Sequence, residues 1–118
     1  MFNDASGFDS IYIACDYTNL RRDIDDLVGL IEQEFKLNPF QNALFLFCGR
    51  KTDRLKALFR KGDSFVLLYK RLENGKFKWP RIESEVKQIT PDQFKQLTQG
   101  LEIHQPGAVK KVYPKQTL

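Results

Sequence analysis

The sequence predicts an α+β fold: a single small domain with a mostly antiparallel β-meander of about 5 strands, packed with two helices, about 19–36 and 91–100. Three observations carry this. Short apolar, β-prone runs at Ser10–Cys15, Leu44–Cys48 and Phe65–Tyr69 are too brief for helices and read as strands. Leu20, Ile24, Leu27, Val28, Ile31 and Phe35 recur at the spacing of a helix with one buried face. Lys61-Gly62-Asp63 and Asn74-Gly75 are turn signals that divide the middle of the chain into hairpins.

At 118 residues the chain can build a hydrophobic core without metal or disulfide support. The domain is placed over 1–103. Residues 104–118, polar and containing Pro106, Gly107, Pro114 and three lysines, read as a flexible basic tail. There is no apolar run of membrane-spanning length and no basic segment followed by an apolar one at the start, so a cytoplasmic protein without membrane contact is expected.

In chain order, Met1–Phe8 is polar and expected to fray, and Ser10–Cys15 follows as the first strand. A turn at Asp16-Tyr17 leads to a helix capped by Thr18 or Asn19. Arg21, Arg22, Asp23, Asp25, Asp26, Glu32 and Glu34 lie opposite its apolar stripe. They read as a solvated exterior or as a docking face for a basic partner. Asn38-Pro39 ends the helix and Phe40 is expected to fold back on it. Leu44–Cys48, apolar on both faces, is a buried strand. Leu55–Phe59, with basic and apolar residues alternating, is a strand rather than a short helix, and Phe65–Tyr69 belongs in the middle of the sheet. Val86–Ile89 is ambiguous, at most a short edge strand. Thr90-Pro91-Asp92-Gln93 combines an N-cap Thr, a proline at the first helical position and a capping-box Gln. Phe94, Leu97 and Leu101 then form an apolar stripe that Gly100 terminates.

Between Arg50 and Arg81 there are eleven Lys/Arg and three acids, net +8, whereas residues 1–49 are net −5. Such an asymmetry concerns partners rather than fold. Read as a two-residue type I′ turn, Asn74-Gly75 sets Glu73 against Lys76, Leu72 against Phe77, Arg71 against Lys78 and Lys70 against Trp79. Arg71, Glu73, Lys76 and Lys78 then share a solvated face, and Leu72, Phe77 and Trp79 face the core. The like-charged pair Arg71/Lys78 is either screened by Glu73 and water or part of an anion-binding face.

Several chemistries lack their residues. His104 is the one histidine and has no nucleophile signature around it; no glycine-rich phosphate loop occurs. Asp23, Asp25 and Asp26 diverge around a helix and make a poor metal cage. Cys15 and Cys48 read as buried reduced thiols, a redox pair being the lesser alternative. The expectation is a protein that is not an enzyme, with no cofactor, metal or small-molecule substrate.

The blocks Ile11–Ile31 (IYIACDYTNLRRDIDDLVGLI) and Leu44–Pro80, ending YKRLENGKFKWP, resemble the TnpB family, the second-reading-frame accessory proteins of IS sixty-six insertion sequences. The likeness spans about residues 4–103. The matching positions are Cys15, Thr18, Arg21, Ile24, Asp25, Gly49, Arg50, Asp53, Arg54 and Lys56, then Tyr69 to Glu73, Gly75, Phe77, Trp79 and Pro80. Asp16, Asn19, Asp23, Phe59 and Ser64 depart from the family pattern. The resemblance implies a protein that assists transposition beside a separate transposase; an unrelated, much longer RNA-guided nuclease shares only the name.

Two functions follow as expectations. In the first, a basic sheet face binds nucleic acid at the element ends through Arg50, Lys51, Arg54, Lys56, Lys70, Arg71, Lys76 and Lys78, with Tyr69 and Trp79 nearby. In the second, the protein docks on the transposase or a companion small protein through Arg21, Asp25 and Asp26 without touching DNA. For Asp53 and Arg54, an ion pair within the sheet is the simpler expectation than a ligand contact.

Overall fold

Along the chain the elements are β1 (Ser10–Ala14), α1 (Ile24–Gln33), β2 (Ala43–Cys48), β3 (Arg54–Lys61), β4 (Ser64–Arg71), β5 (Val86–Ile89) and α2 (Pro91–Gln99). The computed structural model describes residues 5, 7–81 and 86–99. The tail expected over 104–118, with its boundary at 103, and the predicted roles of Gly100, Leu101 and His104 lie outside the described residues.

The five strands form one sheet in the order β4-β3-β2-β1-β5. The fold is α+β and mostly antiparallel, as the sequence predicts. β1 and β2 pair in parallel because α1 connects them, returning the chain to the same end of the sheet. β5 adds to β1 as the short edge strand. Among the described residues no helix is long and apolar enough to cross a membrane.

Both faces of the sheet are covered, which explains why every residue of central β2 is buried. On one face Tyr12, Ala14, Phe45, Phe47, Leu58 and Leu67 meet the stripe of α1, where Leu27 and Ile31 are fully buried. On the other face Ile11, Ile13, Leu44, Leu46, Leu55 and Ala57 meet Phe94 and Leu97 of α2 together with Phe77 and Trp79. Full burial of each leucine, isoleucine or phenylalanine among them contributes about 1.5–3 kcal/mol.

Four local expectations are corrected. The first helix begins at Ile24 and is capped by Asp23, whose carboxylate accepts from the Asp26 N–H at 3.0 Å. Asn19 does not cap a helix; its side chain accepts from the Arg21 N–H in a tight turn. Phe40 does not fold back on α1. It is 54% exposed and tilts against Phe65, with the Arg60 guanidinium 5.1 Å above its ring. β4 is an edge strand rather than an interior one.

The fourth correction concerns Asn74-Gly75. Gly75 is left-handed (φ 87), but Asn74 is not, so a type I′ corner does not form. The expected pairing of residues 70–73 with 76–79 is absent. Instead Leu72–Pro80 leaves the sheet edge and crosses the α2 face, with the Phe77 N–H bonded to the Thr52 carbonyl at 2.7 Å. The Trp79 indole N–H donates to the Ala14 carbonyl at 2.8 Å. Burying both rings against the sheet, with the indole N–H satisfied, outweighs a two-stranded ribbon exposed at the margin. Gly62-Asp63, by contrast, closes a true two-residue hairpin, with Gly62 at φ 63 as a type II′ turn requires. The capping box of α2 forms as predicted: Gln93 N–H to Thr90 Oγ1 at 3.1 Å, Thr90 N–H to Gln93 Oε1 at 2.8 Å.

Candidate nucleic-acid interface

The carboxyl ends of two parallel strands are where chains of this kind diverge and leave a crevice. Here the segment after β1 (Cys15–Asp23) and the turn after β2 (Gly49–Asp53) separate above the ends of β3 and β4. Between them lies an open cleft of about 800 Å³, lined by Tyr17, Thr18, Asn19, Leu20, Arg21, Gly49, Arg50, Lys51, Arg54, Lys56 and Tyr69. Five of these are cationic and none is acidic.

The local chemistry fixes each side chain. The Thr18 N–H bonds the Cys48 carbonyl at 2.8 Å, tying the first wall to the end of β2. Gly49 is closely packed: a Cβ there would come within 3.3 Å of both Leu20 and Arg54. Thr52 is left-handed at φ 55, a conformation that is strained for a β-branched residue. Its N–H bonds the Gly49 carbonyl, and its carbonyl accepts from Phe77, so the strap across the opposite face holds the turn.

The Arg50 guanidinium lies 4.1 Å from the Tyr17 ring centroid and donates to the Tyr17 hydroxyl at 2.6 Å. Arg81 approaches the same ring at 5.9 Å and donates to the Gly49 carbonyl at 2.6 Å. Lys56 donates to the Arg22 carbonyl at 3.1 Å, bracing β3 against the loop before α1. Arg54 Nε is 2.9 Å from Asp53 Oδ1. This hydrogen bond holds the Asp53 carboxyl below its ordinary value and raises Arg54 above its own. The expected ion pair is therefore present, and it partly neutralises Arg54.

Cys48 lies just below this turn. Burial pushes its thiol up to about 11. Continuing the β1/β2 register by two residues brings Cys15 alongside it, and both cysteines are buried and outside any disulfide.

The predicted nucleic-acid residues do not form one sheet face. Arg50, Lys51, Arg54 and Lys56 converge in the cleft, and Arg71 stands opposite Arg54 in the β3–β4 register. Lys70, opposite Leu55, alternates to the other face. Lys76 and Lys78 border a separate cleft of about 660 Å³ on the α2 side with Lys87, over Phe77, Trp79 and Leu97. Trp79, expected near the interface, is 7% exposed and structural. Arg21 comes to the cleft, away from Asp25 and Asp26, which stay exposed in the first turn of α1. The sequence reading missed Tyr17 and Arg81. Tyr17 beside Asp16, a turn-forming residue whose carboxylate accepts from the Tyr17 N–H at 2.8 Å, was the available signal; for Arg81 there was none.

A family model described as IS66 Orf2 like protein matches residues 9–108. The chain belongs to the IS66 Orf2-like family. Among curated proteins it is similar to the uncharacterized protein y4hO of Sinorhizobium fredii (strain NBRC 101917 / NGR234). The identity is 33% over 96 residues, 81% of this chain and 84% of that protein. It is also 29% identical over 92 residues to y4jC of the same organism, 78% of this chain and 79% of that protein. No solved structure matches it. Membership in the IS66 Orf2-like family gives the chain an accessory role associated with transposition.

Proposed function

We propose that this chain assists transposition without catalysing a step of it, by holding the phosphate backbone of DNA at the element ends in the cleft between the segment after β1 and the turn after β2. The observation that carries this reading is the convergence of Arg21, Arg50, Lys51, Arg54 and Lys56 on one concave surface without a lining carboxylate. Arginine forks match phosphate oxygens in pairs, and Tyr17 and Tyr69, 46% and 52% exposed, offer rings at the margin. Arg71 extends the basic surface along the sheet edge. Binding of this kind is electrostatic and not sequence-reading. The test is a titration of purified protein against the element's terminal DNA at two salt concentrations. Binding that weakens steeply with salt is expected; no binding at low salt overturns the proposal.

A second reading is docking on the transposase through Asp25 and Asp26, and the exposure of both carboxylates on α1 supports it. Acids in a first helical turn also complement the helix dipole, which accounts for them without a partner. Co-purification with the transposase, lost on charge reversal at both positions, is the expected result; retention removes this reading.

A further inference from the structure

Among the described residues the outer side of β4 is an open edge, and its residues pair best with themselves. In the β3–β4 hairpin Lys61 faces Ser64 across a two-residue turn, so these two are a hydrogen-bonded pair and the pattern alternates from there. The Leu72 N–H to Asp53 carbonyl bond, 2.7 Å, continues the same alternation past the strand end. Val66, Leu68 and Lys70 therefore spend their backbone groups on β3. Phe65, Leu67, Tyr69 and Arg71 direct theirs outward, where no described strand meets them. This edge carries the run Phe65–Tyr69 without charge or proline, the devices that usually keep a sheet edge unsociable.

We propose that the chain forms a symmetric dimer by antiparallel pairing of β4 with β4 of a second copy, centred on Leu67. A two-fold axis perpendicular to the sheet requires opposed residues to share a face, which leaves three central registers. Centring on Leu68 sets Phe65 against Arg71, Val66 against Lys70 and Asp63 against Glu73 of the second copy. Centring on Val66 sets Lys61 against Arg71. Centring on Leu67 sets Leu67 against its own copy, Phe65 against Tyr69, Val66 against Leu68 and Asp63 against Arg71. Only this last register makes every central pair apolar and gives the flanking charges opposite signs. The five-stranded sheet is thereby doubled, and because the axis keeps each face on its own side, the two basic clefts lie on one surface. The contact is an edge alone, so the dimer is weak and depends on concentration. This inference stands apart from the nucleic-acid reading.

Sedimentation of the full chain over a concentration series tests it, with Asp63→Arg, Arg71→Asp and the double variant; both positions are exposed, so the fold tolerates them. Each single variant is expected to weaken the dimer about tenfold, and the double variant to restore it. Amide exchange gives an independent readout: Phe65, Leu67 and Tyr69 N–H groups become protected as concentration rises, while Val66 and Leu68 are protected throughout. A chain that is monomeric at every concentration, or a dimer indifferent to the single reversals, overturns the proposal. So does protection of the Leu67 N–H in dilute monomer, which would mean that residues 100–118 of the same chain cover the edge.

Discussion

The two clefts of this molecule are both bordered by cations, yet they are built differently. On the α1 side, Arg50 and Lys51 follow directly on the end of the central strand, Arg54 and Lys56 project from its neighbour, and the rims are tyrosines. On the α2 side, Lys76 and Lys78 rise from a strap whose rings fill the core, and the floor is apolar. The first has planar donors fixed by hydrogen bonds on strand ends; the second has lysines on flexible stems around a hydrophobic patch. Local charge alone does not distinguish them. What differs is whether the segment bearing the charge also supplies rings to the core, as Phe77 and Trp79 do, or is held by turn hydrogen bonds at the strand ends.

Substitutions can break that contrast. The largest effect is expected from Trp79→Ala, which empties a buried site and orphans the hydrogen bond to Ala14. It should destabilise the fold by about 3–5 kcal/mol in urea unfolding. Stability unchanged within about 0.5 kcal/mol would mean that the strap is not structural.

Cys48 gives a smaller, pH-dependent effect beneath the α1-side cleft. Its thiol is held up to about 11 by burial, above the ordinary thiol value of 9.0, so the folded state keeps a proton that the unfolded chain releases. The sign follows: the neutral thiol contributes its full stability below pH 9.0, and this is lost as pH rises through about 11. Wild type should lose on the order of 2–3 kcal/mol relative to Cys48→Ala across that window. Parallel stability curves for the two proteins would contradict the account.

Thr52→Gly sharpens the comparison with the least cost. It relieves a left-handed β-branched residue at the turn shared by both clefts, against the loss of the Oγ1 hydrogen bond to the Lys51 carbonyl. A net gain of about 0.5–1 kcal/mol is expected in thermal unfolding. A loss of similar size would show that the hydroxyl, not the backbone, holds the turn.

Much of this was legible in the sequence, for local reasons. The uniform apolarity of Leu44–Cys48 could only suit a strand covered on both faces, and Thr90 with Gln93 fixes the start of α2 through its own side chains. Asn74-Gly75 was misleading because its partners decide the outcome. Phe77 and Trp79 gain more by lying across the sheet than by extending it. Once that strap leaves the edge, Lys76 and Lys78 part company with Arg50 and Arg54, and β4 is the last strand of the sheet among the described residues. The helix start was misplaced for the opposite reason: Asn19 and Asp23 both carry capping side chains, and the Thr18 bond to β2 settles which one caps. Spacing along the chain does not contain that contact.

The most direct test of the central claim is the salt dependence of DNA binding in two paired variants, Arg50→Gln/Lys51→Gln and Lys76→Gln/Lys78→Gln. Each removes the same formal charge, from opposite faces. The first pair should lower affinity about tenfold or more and reduce the slope of log affinity against log salt by about 1.5–2, while the second leaves the slope near that of wild type. Equal losses from the two pairs would contradict the account, since charge rather than the cleft would then govern binding.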